Sequence, residues 1–335
     1  MSTLQFASVA GQQTDLDSVF PQVIAHDGSC KDAEAVARWI GDHREQLEQQ
    51  VKASGVLLLR GFPLATAEDF DQASRAFGYP NFTYKDSLSN AVRINHTERV
   101  FTANEAPPHV EINMHNEMAQ TPIYPERILF FCASAAEQGG ATPVCRCDRV
   151  YNELCAEDPD LVAALEEKGV RYTTWMPAAN DASSGQGRSW RDTLSVEDVA
   201  GAEEKLQRLG YDWEWLDDGR LRATTPALPA VIALDDGRKV FFNQLVAAYL
   251  GWEGVRDNPS RALRFGDGSE IPKAGLERIA ACVEAANFDL QWQDGDLAIV
   301  NNYLAMHGRR PYGGTRKRTV LVVLGAAREN RLKAA

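Results

Sequence analysis

The chain has 335 residues, of which 44% are hydrophobic and 24% charged, with a formal net charge of −12. That is enough chain for a sizeable core and an ordinary globular composition, while the acidic balance argues against sequence-independent nucleic-acid binding, which needs clustered Lys and Arg. The N-terminus lacks a basic head with an apolar run, and no apolar segment is long enough to span a bilayer, so the expectation is a cytoplasmic protein with no membrane association.

Taken in order, residues 32–53 carry helical periodicity and stop at Ser54-Gly55, as a glycine-terminated surface helix should. Val56-Leu57-Leu58-Leu59 predicts a buried strand. Thr66-Ala67-Glu68-Asp69 has the pattern of a capping box and opens a helix running to Phe77-Gly78. Residues 79–110 are less regular, and Pro107-Pro108 marks the approach to a strand around His115. A turn over residues 121–125 precedes a buried strand, Arg127 to Cys132. Gly139-Gly140 predicts another turn, with an extended path from Ala141 to Val144. A helix from Arg149 to Lys168 should break near Asp158-Pro159, and Val170 to Trp175 is rich in strand formers.

Residues 177–192 lose all periodicity, and so long an irregular segment is expected to be an active-site lid or a surface loop. Ser195-Val196-Glu197-Asp198 is expected to cap a helix reaching Leu209. Short strands follow at 221–224, 230–234 and 240–242, with Asp235-Asp236-Gly237 as a hairpin turn. A helix over 274–286 precedes strands at 297–300 and 319–324. No internal repeat, low-complexity tract or linker interrupts this series. The expectation is one α+β domain over residues 1–335, built around a sandwich or jelly roll. The six cysteines (Cys30, Cys132, Cys145, Cys147, Cys155 and Cys282) form no CxxC pair and read as reduced thiols.

The chemistry concentrates at Met114-His115-Asn116-Glu117. On an extended strand the His115 and Glu117 side chains share a face, and Asn116 points the other way. A bare HxE motif is weak by itself. His307 strengthens it, because it follows a turn and a buried strand that ends in Asn301-Asn302. Two histidines and one carboxylate with open positions make the facial triad of non-haem Fe(II) oxygenases. Arg318 lies eleven residues beyond His307. Its planar fork could hold the far carboxylate of a dicarboxylic co-substrate, and Arg316 is the competitor for that role. His109 ranks as a supporting residue, His96 lower, and His26 and His43 read as surface residues.

The sequence resembles the taurine dioxygenase-like (TauD/TfdA) family of Fe(II)- and 2-oxoglutarate-dependent oxygenases. The resemblance is carried by His115-Asn116-Glu117, residues 125–131, Gly139 to Pro143, Phe242-Asn243-Gln244, residues 265–268, Gly295-Asp296, Asn302-Tyr303, His307-Gly308-Arg309, Gly314 and Arg318. These run through roughly the last two thirds of the chain. Glutamate rather than aspartate in the triad looks most like the syringomycin-type aspartyl hydroxylase branch, and the clavaminate synthase and asparagine/arginine oxygenase group shares it. The resemblance implies a double-stranded β-helix with flanking helices, in which His115, Glu117 and His307 bind Fe(II). It also implies that Arg318 and Thr142 hold 2-oxoglutarate, with O₂ as the second co-substrate. Val322 stands where taurine dioxygenase has its sulfonate-binding arginine, which disfavours a sulfonate. The presence of Glu117 disfavours halogenation.

The reaction implied is oxidation of an unactivated C–H bond of a small amino-acid-like substrate, free or carrier-tethered, in specialised metabolite biosynthesis. Hydroxylation leads, with ring closure or desaturation as alternatives. Arg93, Asn95, Asn104, Gln186, Arg188 and Arg309 are the candidate substrate contacts, because each is polar and lies in an irregular segment or beside a ligand. Arg309 has a second reading as a brace. The competing classes are a binding protein with a vestigial metal site and a zinc hydrolase, in which Arg318 would have no role.

Overall fold

Four continuously apolar strands set the architecture. In Val56–Arg60, Ile123–Ser134, Leu297–Asn301 and Thr319–Glu329, nearly every residue of the central stretch is apolar and buried. A sheet residue can be apolar on both faces only if both faces are covered. The protein, described here from a computed structural model covering residues 4–14, 18–83, 88–89, 93–181 and 187–329, meets that condition. The four strands are neighbours in a seven-stranded sheet that also takes in Phe6–Ala7, Gln22–Ala25 and Phe101–Thr102.

One face of this sheet presents Leu57, Leu59, Leu129, Phe131, Leu297, Ile299, Leu321 and Val323. They pack against the helices Ala33–Ser54 and Ala67–Ala76 through Val36, Ile40, Leu47, Val51, Phe70 and Ala73. The alternate residues, Val56, Leu58, Ile128, Phe130, Ala298, Val300, Val320, Val322 and Leu324, belong to a second, larger cluster that includes Val144. Val144 lies in a four-stranded sheet of order Phe288–Leu290, Thr142–Arg146, Ala305–Arg309 and Ile112–His115. The helix Leu245–Gly251 packs against the last of these strands. A third sheet holds Asp212–Trp215, Leu221–Thr224, Val170–Met176 and Leu263–Phe265.

Several boundaries follow from local chemistry. Asp32 caps the first long helix by accepting from Ala35 N, and Gly55 ends it at φ 89°. The capping box of Thr66 and Asp69 forms as expected. The helix expected over 149–168 is two, Cys147–Glu157 and Pro159–Lys168, with Asp158 capping the second. The cap of Val199–Leu209 is Asp198 rather than Ser195; Ser195 instead ends the short helix Trp190–Leu194 in a left-handed conformation. The strand expected over 127–132 begins at Ile123, so the 121–125 turn is shorter than the sequence suggested. Pro125 is tolerated because there the strand pairs on one side only, with Ala327. His43 is buried, stacked on Trp39, and corrects the surface reading. All six cysteines are free. No helix among the described residues is long and apolar enough to cross a membrane.

Candidate active site

Strand register brings the two histidines together. His307 and His115 are direct cross-strand partners, and His307 also pairs with Val144 on its other side. Their side chains therefore share one face with Val144 and Thr142, the face that meets the larger sheet. The rings lie 4.4 Å apart, and Phe130 of the larger sheet meets the His307 ring edge-on at 5.1 Å. Gly308 lets the strands approach: a Cβ there would lie 2.5 Å from the Ile112 carbonyl oxygen.

Glu117 arrives differently from the expectation. The strand ends at His115, and Glu117 sits in the turn beyond it. A buried amide network fixes that turn. Glu117 N donates to Asn302 Oδ1 at 2.7 Å, and Asn302 Nδ2 donates back to Glu117 O at 2.9 Å and to Pro125 O at 2.7 Å. Asn116 points away from the histidines, donating to Asn302 O at 2.6 Å and accepting from Asn243 N at 3.1 Å. Gln244 Nε2 closes the network on Asn116 O at 3.3 Å. Buried amides satisfied on every side fix one geometry. Met118, next in line, is held at φ 58°, an uncommon conformation for a non-glycine residue.

The result is a three-donor cluster. One ligand atom each from His115, Glu117 and His307 lies within 4.8 Å of the others. Glu117 Oε2 is 3.4 Å from His307 Nε2 and 3.9 Å from His115 Nε2. His115 Nδ1 lies 2.8 Å from the Asn113 carbonyl oxygen, which makes Nδ1 the protonated nitrogen and leaves Nε2 as the lone-pair donor. Burial, then the neighbouring His307, pushes the His115 pKa down to about 4, so the ring is neutral and able to ligate. Burial alone would raise the Glu117 pKa; the Arg93 charge and the His307 hydrogen bond more than reverse this and hold it well below the usual carboxylate range. Arg93 Nη2 donates to Glu117 Oε1 at 2.9 Å, and both side chains are only 6% exposed. Two imidazoles and one carboxylate suit a divalent first-row metal such as ferrous iron and would leave it positions for other ligands.

The cluster opens into a cavity between the two sheets that is partly open to solvent. The larger sheet contributes Phe130 and Val320, Arg318 stands just before its strand Thr319–Glu329, and the smaller sheet contributes Ile112, His115, Thr142 and His307. Arg318 donates from Nε to Gly140 O at 3.1 Å, and a Cβ on Gly140 would lie 3.1 Å from the Arg318 side chain. The guanidinium groups of Arg318 and Arg309 both lie over the Tyr312 ring, at 5.4 and 5.3 Å. Burial and then Arg309 push the Arg318 pKa down to about 10, which leaves it cationic at neutral pH. Thr142 Oγ1 accepts from Trp292 Nε1 at 2.9 Å, so its own proton is available for another acceptor. Arg316 is exposed and pairs with Asp294, which removes it as the competitor.

Of the six expected substrate contacts, Arg93, Asn104 and Arg309 line the cavity. Arg309 is committed to holding a loop, donating to the carbonyls of Ala106, Pro107 and Val110 at 3.0, 2.8 and 2.7 Å. Asn95 is exposed and outside the cavity, its backbone bridged to Phe101. Arg188 is turned toward the backbone carbonyls of Ser89 and Asp192 instead. Gln186 lies outside the described residues, as do the other residues of 182–186 in the expected lid. The flanks of that segment are tied together by Asp181 N to Gly187 O and Trp190 N to Pro177 O. His109 is exposed and is not among the residues lining the cavity. Sequence reasoning missed the Arg93–Glu117 ion pair and the role of Trp292. It quoted Asn243, Gln244 and Asn302 as motif residues without seeing that they hold the Glu117 turn.

Comparison with known proteins agrees with this geometry. Residues 30–324 match the family model described as taurine catabolism dioxygenase TauD, TfdA family. A clavaminate synthase-like protein of Arabidopsis thaliana is 36% identical over 280 residues, covering 83% of this chain and 84% of the relative. The dapdiamide synthesis protein DdaC of Enterobacter agglomerans is 28% identical over 292 residues, with the same coverage. The solved structure of an asparagine oxygenase in complex with Fe(II), 2S,3S-3-hydroxyasparagine and succinate superposes with a TM-score of 0.53 at 13% identity, covering 88% of this chain and 83% of that one. With a family model matching most of its length and a relative above 30% identity, the chain belongs to the TauD/TfdA family of dioxygenases.

Proposed function

We propose that this dioxygenase uses Fe(II), 2-oxoglutarate and O₂ to hydroxylate a C–H bond of a small amino-acid-like molecule in a biosynthetic pathway. The two facing sheets read as a double-stranded β-helix within one domain, 1–335. The observation that carries the proposal is the convergence of His115, Glu117 and His307 in a cavity that Arg318 and Thr142 also line. A zinc hydrolase would have no use for the last two residues. Among similar proteins, the dapdiamide synthesis protein and the asparagine oxygenase structure with hydroxyasparagine and succinate support an amino-acid-like substrate.

When bound, ferrous iron with 2-oxoglutarate and O₂ supplies the chemistry of C–H oxidation, with succinate and carbon dioxide as the other products. His115 Nε2, Glu117 Oε2 and His307 would hold the metal. Arg93 occupies the second carboxylate oxygen of Glu117, which favours one-oxygen ligation. Arg318 and the Thr142 hydroxyl hold the distal carboxylate of 2-oxoglutarate through charge-assisted hydrogen bonds. Phe130 and Val320 wall the site with apolar surface and limit water around the reacting centre.

The test is succinate release from 2-oxoglutarate by the iron-loaded protein across a panel of amino acids and derivatives. Release stimulated by at least one panel member, and absent in His115→Ala, is the expected result. Equal release from the His115→Ala protein rejects the assignment.

A further inference from the structure

Residues 103–110 connect the large sheet to the strand Ile112–His115, and Asn104 among them lines the cavity. Pro107 and Pro108 bring carbonyls to this loop but no N–H groups. Donors for its backbone must therefore come from elsewhere. The segment just beyond His307 supplies them. Arg309 donates to the carbonyls of Ala106, Pro107 and Val110, and Tyr312 N donates to Pro108 O at 3.0 Å. The start of the loop is fixed to the large sheet, where Ala103 N donates to Val320 O at 3.0 Å.

The same segment reaches the co-substrate end. Tyr312 is half-buried and is not among the residues lining the cavity. Its short strand, Tyr312–Gly313, pairs with Gln138–Gly139. Next to that pair, Gly140 N donates to Pro311 O at 3.0 Å, and Gly140 O accepts from Arg318 Nε at 3.1 Å. The Tyr312 ring meets the guanidinium of Arg309 at 5.3 Å and that of Arg318 at 5.4 Å. An aromatic face attracts a cation, and more strongly where water is scarce. One ring thus steadies both the arginine placed at 2-oxoglutarate and the arginine that pins the loop. These two cations also oppose each other, since Arg309 helps to push the Arg318 pKa down. A carboxylate received by Arg318 lessens that opposition and favours Arg309 in its loop-holding position. By linkage, the held loop favours the carboxylate to the same degree.

Resting on the oxygenase reading above, we infer that Tyr312 is a positioning residue that joins the two ends of the cavity. Its ring sets the Arg318 fork for 2-oxoglutarate and, through Arg309, makes co-substrate binding tighten the loop that carries Asn104.

The experiment uses the iron(II)-loaded full chain under anaerobic conditions, with 2-oxoglutarate as the probe. Affinity is read by calorimetry, and the loop by amide hydrogen exchange over residues 103–111. In the wild type, saturating 2-oxoglutarate should slow exchange across 103–111 by about threefold or more. Tyr312→Leu should weaken 2-oxoglutarate binding by about three- to thirtyfold, the range for loss of a desolvated cation–π contact. At saturating 2-oxoglutarate the slowing across 103–111 should then be absent. Tyr312→Phe keeps the ring and should return both readouts to within about twofold of wild type, and Fe(II) affinity should stay within about twofold in both variants. If Tyr312→Leu does not fold, Arg309→Lys replaces it. That change keeps the charge but loses the fork that spans the Ala106, Pro107 and Val110 carbonyls, so the slowing should again be absent. The inference is overturned if 2-oxoglutarate leaves exchange across 103–111 unchanged in the wild type, or if the slowing persists in the variant used. It is equally overturned if Tyr312→Leu binds 2-oxoglutarate as wild type does, if it loses Fe(II) affinity in parallel, or if Tyr312→Phe behaves as Tyr312→Leu does. Failure of the wild-type protein to bind iron and 2-oxoglutarate overturns the oxygenase reading instead, and the two failures are thereby separated.

Discussion

The two faces of the seven-stranded sheet are built from the same few strands and serve different ends. Phe131 and Leu321 look outward to the helices, and the Phe131 ring stacks on Phe70 at 5.2 Å. Phe130 and Val320, one residue away on the same strands, look inward and wall the cavity beside His307. A period of two residues therefore separates packing from chemistry along a single strand. The outward face is a continuous apolar layer. The inward face keeps its apolar layer where it meets Val144 but gives way to Arg318 and open space at the site. The metal donors themselves come from the smaller sheet and from a turn held by amides. Apolar packing covers both faces of the large sheet, and the site opens on the inward one only.

The largest effects should come from the donors. His115→Ala and His307→Ala should each bring succinate release to background and abolish stoichiometric Fe(II) binding in an anaerobic titration, while the circular dichroism spectrum stays native. Next in size is the outward face. Phe131→Ala should cost about 3–5 kcal/mol of unfolding free energy, as large-to-small changes in a close-packed core do. Its 2-oxoglutarate affinity, measured on the folded protein, should stay within about twofold of wild type. A Phe131→Ala protein whose co-substrate affinity fell as steeply as its stability would break the proposed division between the faces.

How much of this was readable in advance depended on whether the signal was local. The glycine stop at Gly55 and the Thr66–Asp69 box are set by neighbours a few residues apart, and each formed as read. His115, Glu117, His307 and Arg318 were legible because their chemistry is rare and their spacing is specific, and the structure brings them to one cavity. The pairing of His307 with His115 depends on strand register, which no local pattern states. The substrate side was poorly legible for the same reason. Asn95, Arg188 and Arg309 are polar residues in irregular segments, and polarity alone does not say whether a side chain meets a ligand, a carbonyl or solvent. Arg309 turned out to hold a loop, and Arg188 a pair of carbonyls. The outward and inward faces of Thr319–Glu329 were equally hidden, because a strand buried on both sides shows no alternation.

A smaller effect should separate the co-substrate end of the cavity from the metal. Arg318→Ala should raise the 2-oxoglutarate concentration for half-maximal rate by about 10–100-fold, the loss expected for one charge-assisted pair. Fe(II) affinity should change little, since Arg318 touches none of the three donors. The measurement is a 2-oxoglutarate titration beside an anaerobic iron titration on the same preparation. Parallel loss of both affinities would mean that the two ends act as one unit.

The smallest effect is the most specific. Trp292 does not line the cavity, but its indole N–H donates to Thr142 Oγ1 at 2.9 Å. With that lone pair occupied, the hydroxyl rotor prefers to send its proton elsewhere, toward the carboxylate that Arg318 holds. Trp292→Phe removes the donor and keeps most of the apolar packing. The hydroxyl then gains freedom, and 2-oxoglutarate binding should weaken by about 1 kcal/mol or less, roughly two- to fivefold. Thr142→Val, which removes the hydroxyl itself, should weaken it at least as much. In the Thr142→Val background the Trp292→Phe change should add nothing, because its effect is routed through an oxygen no longer present. Additive losses in that double-mutant cycle would show that Trp292 acts by packing and would leave the Thr142 hydroxyl without its orienting partner.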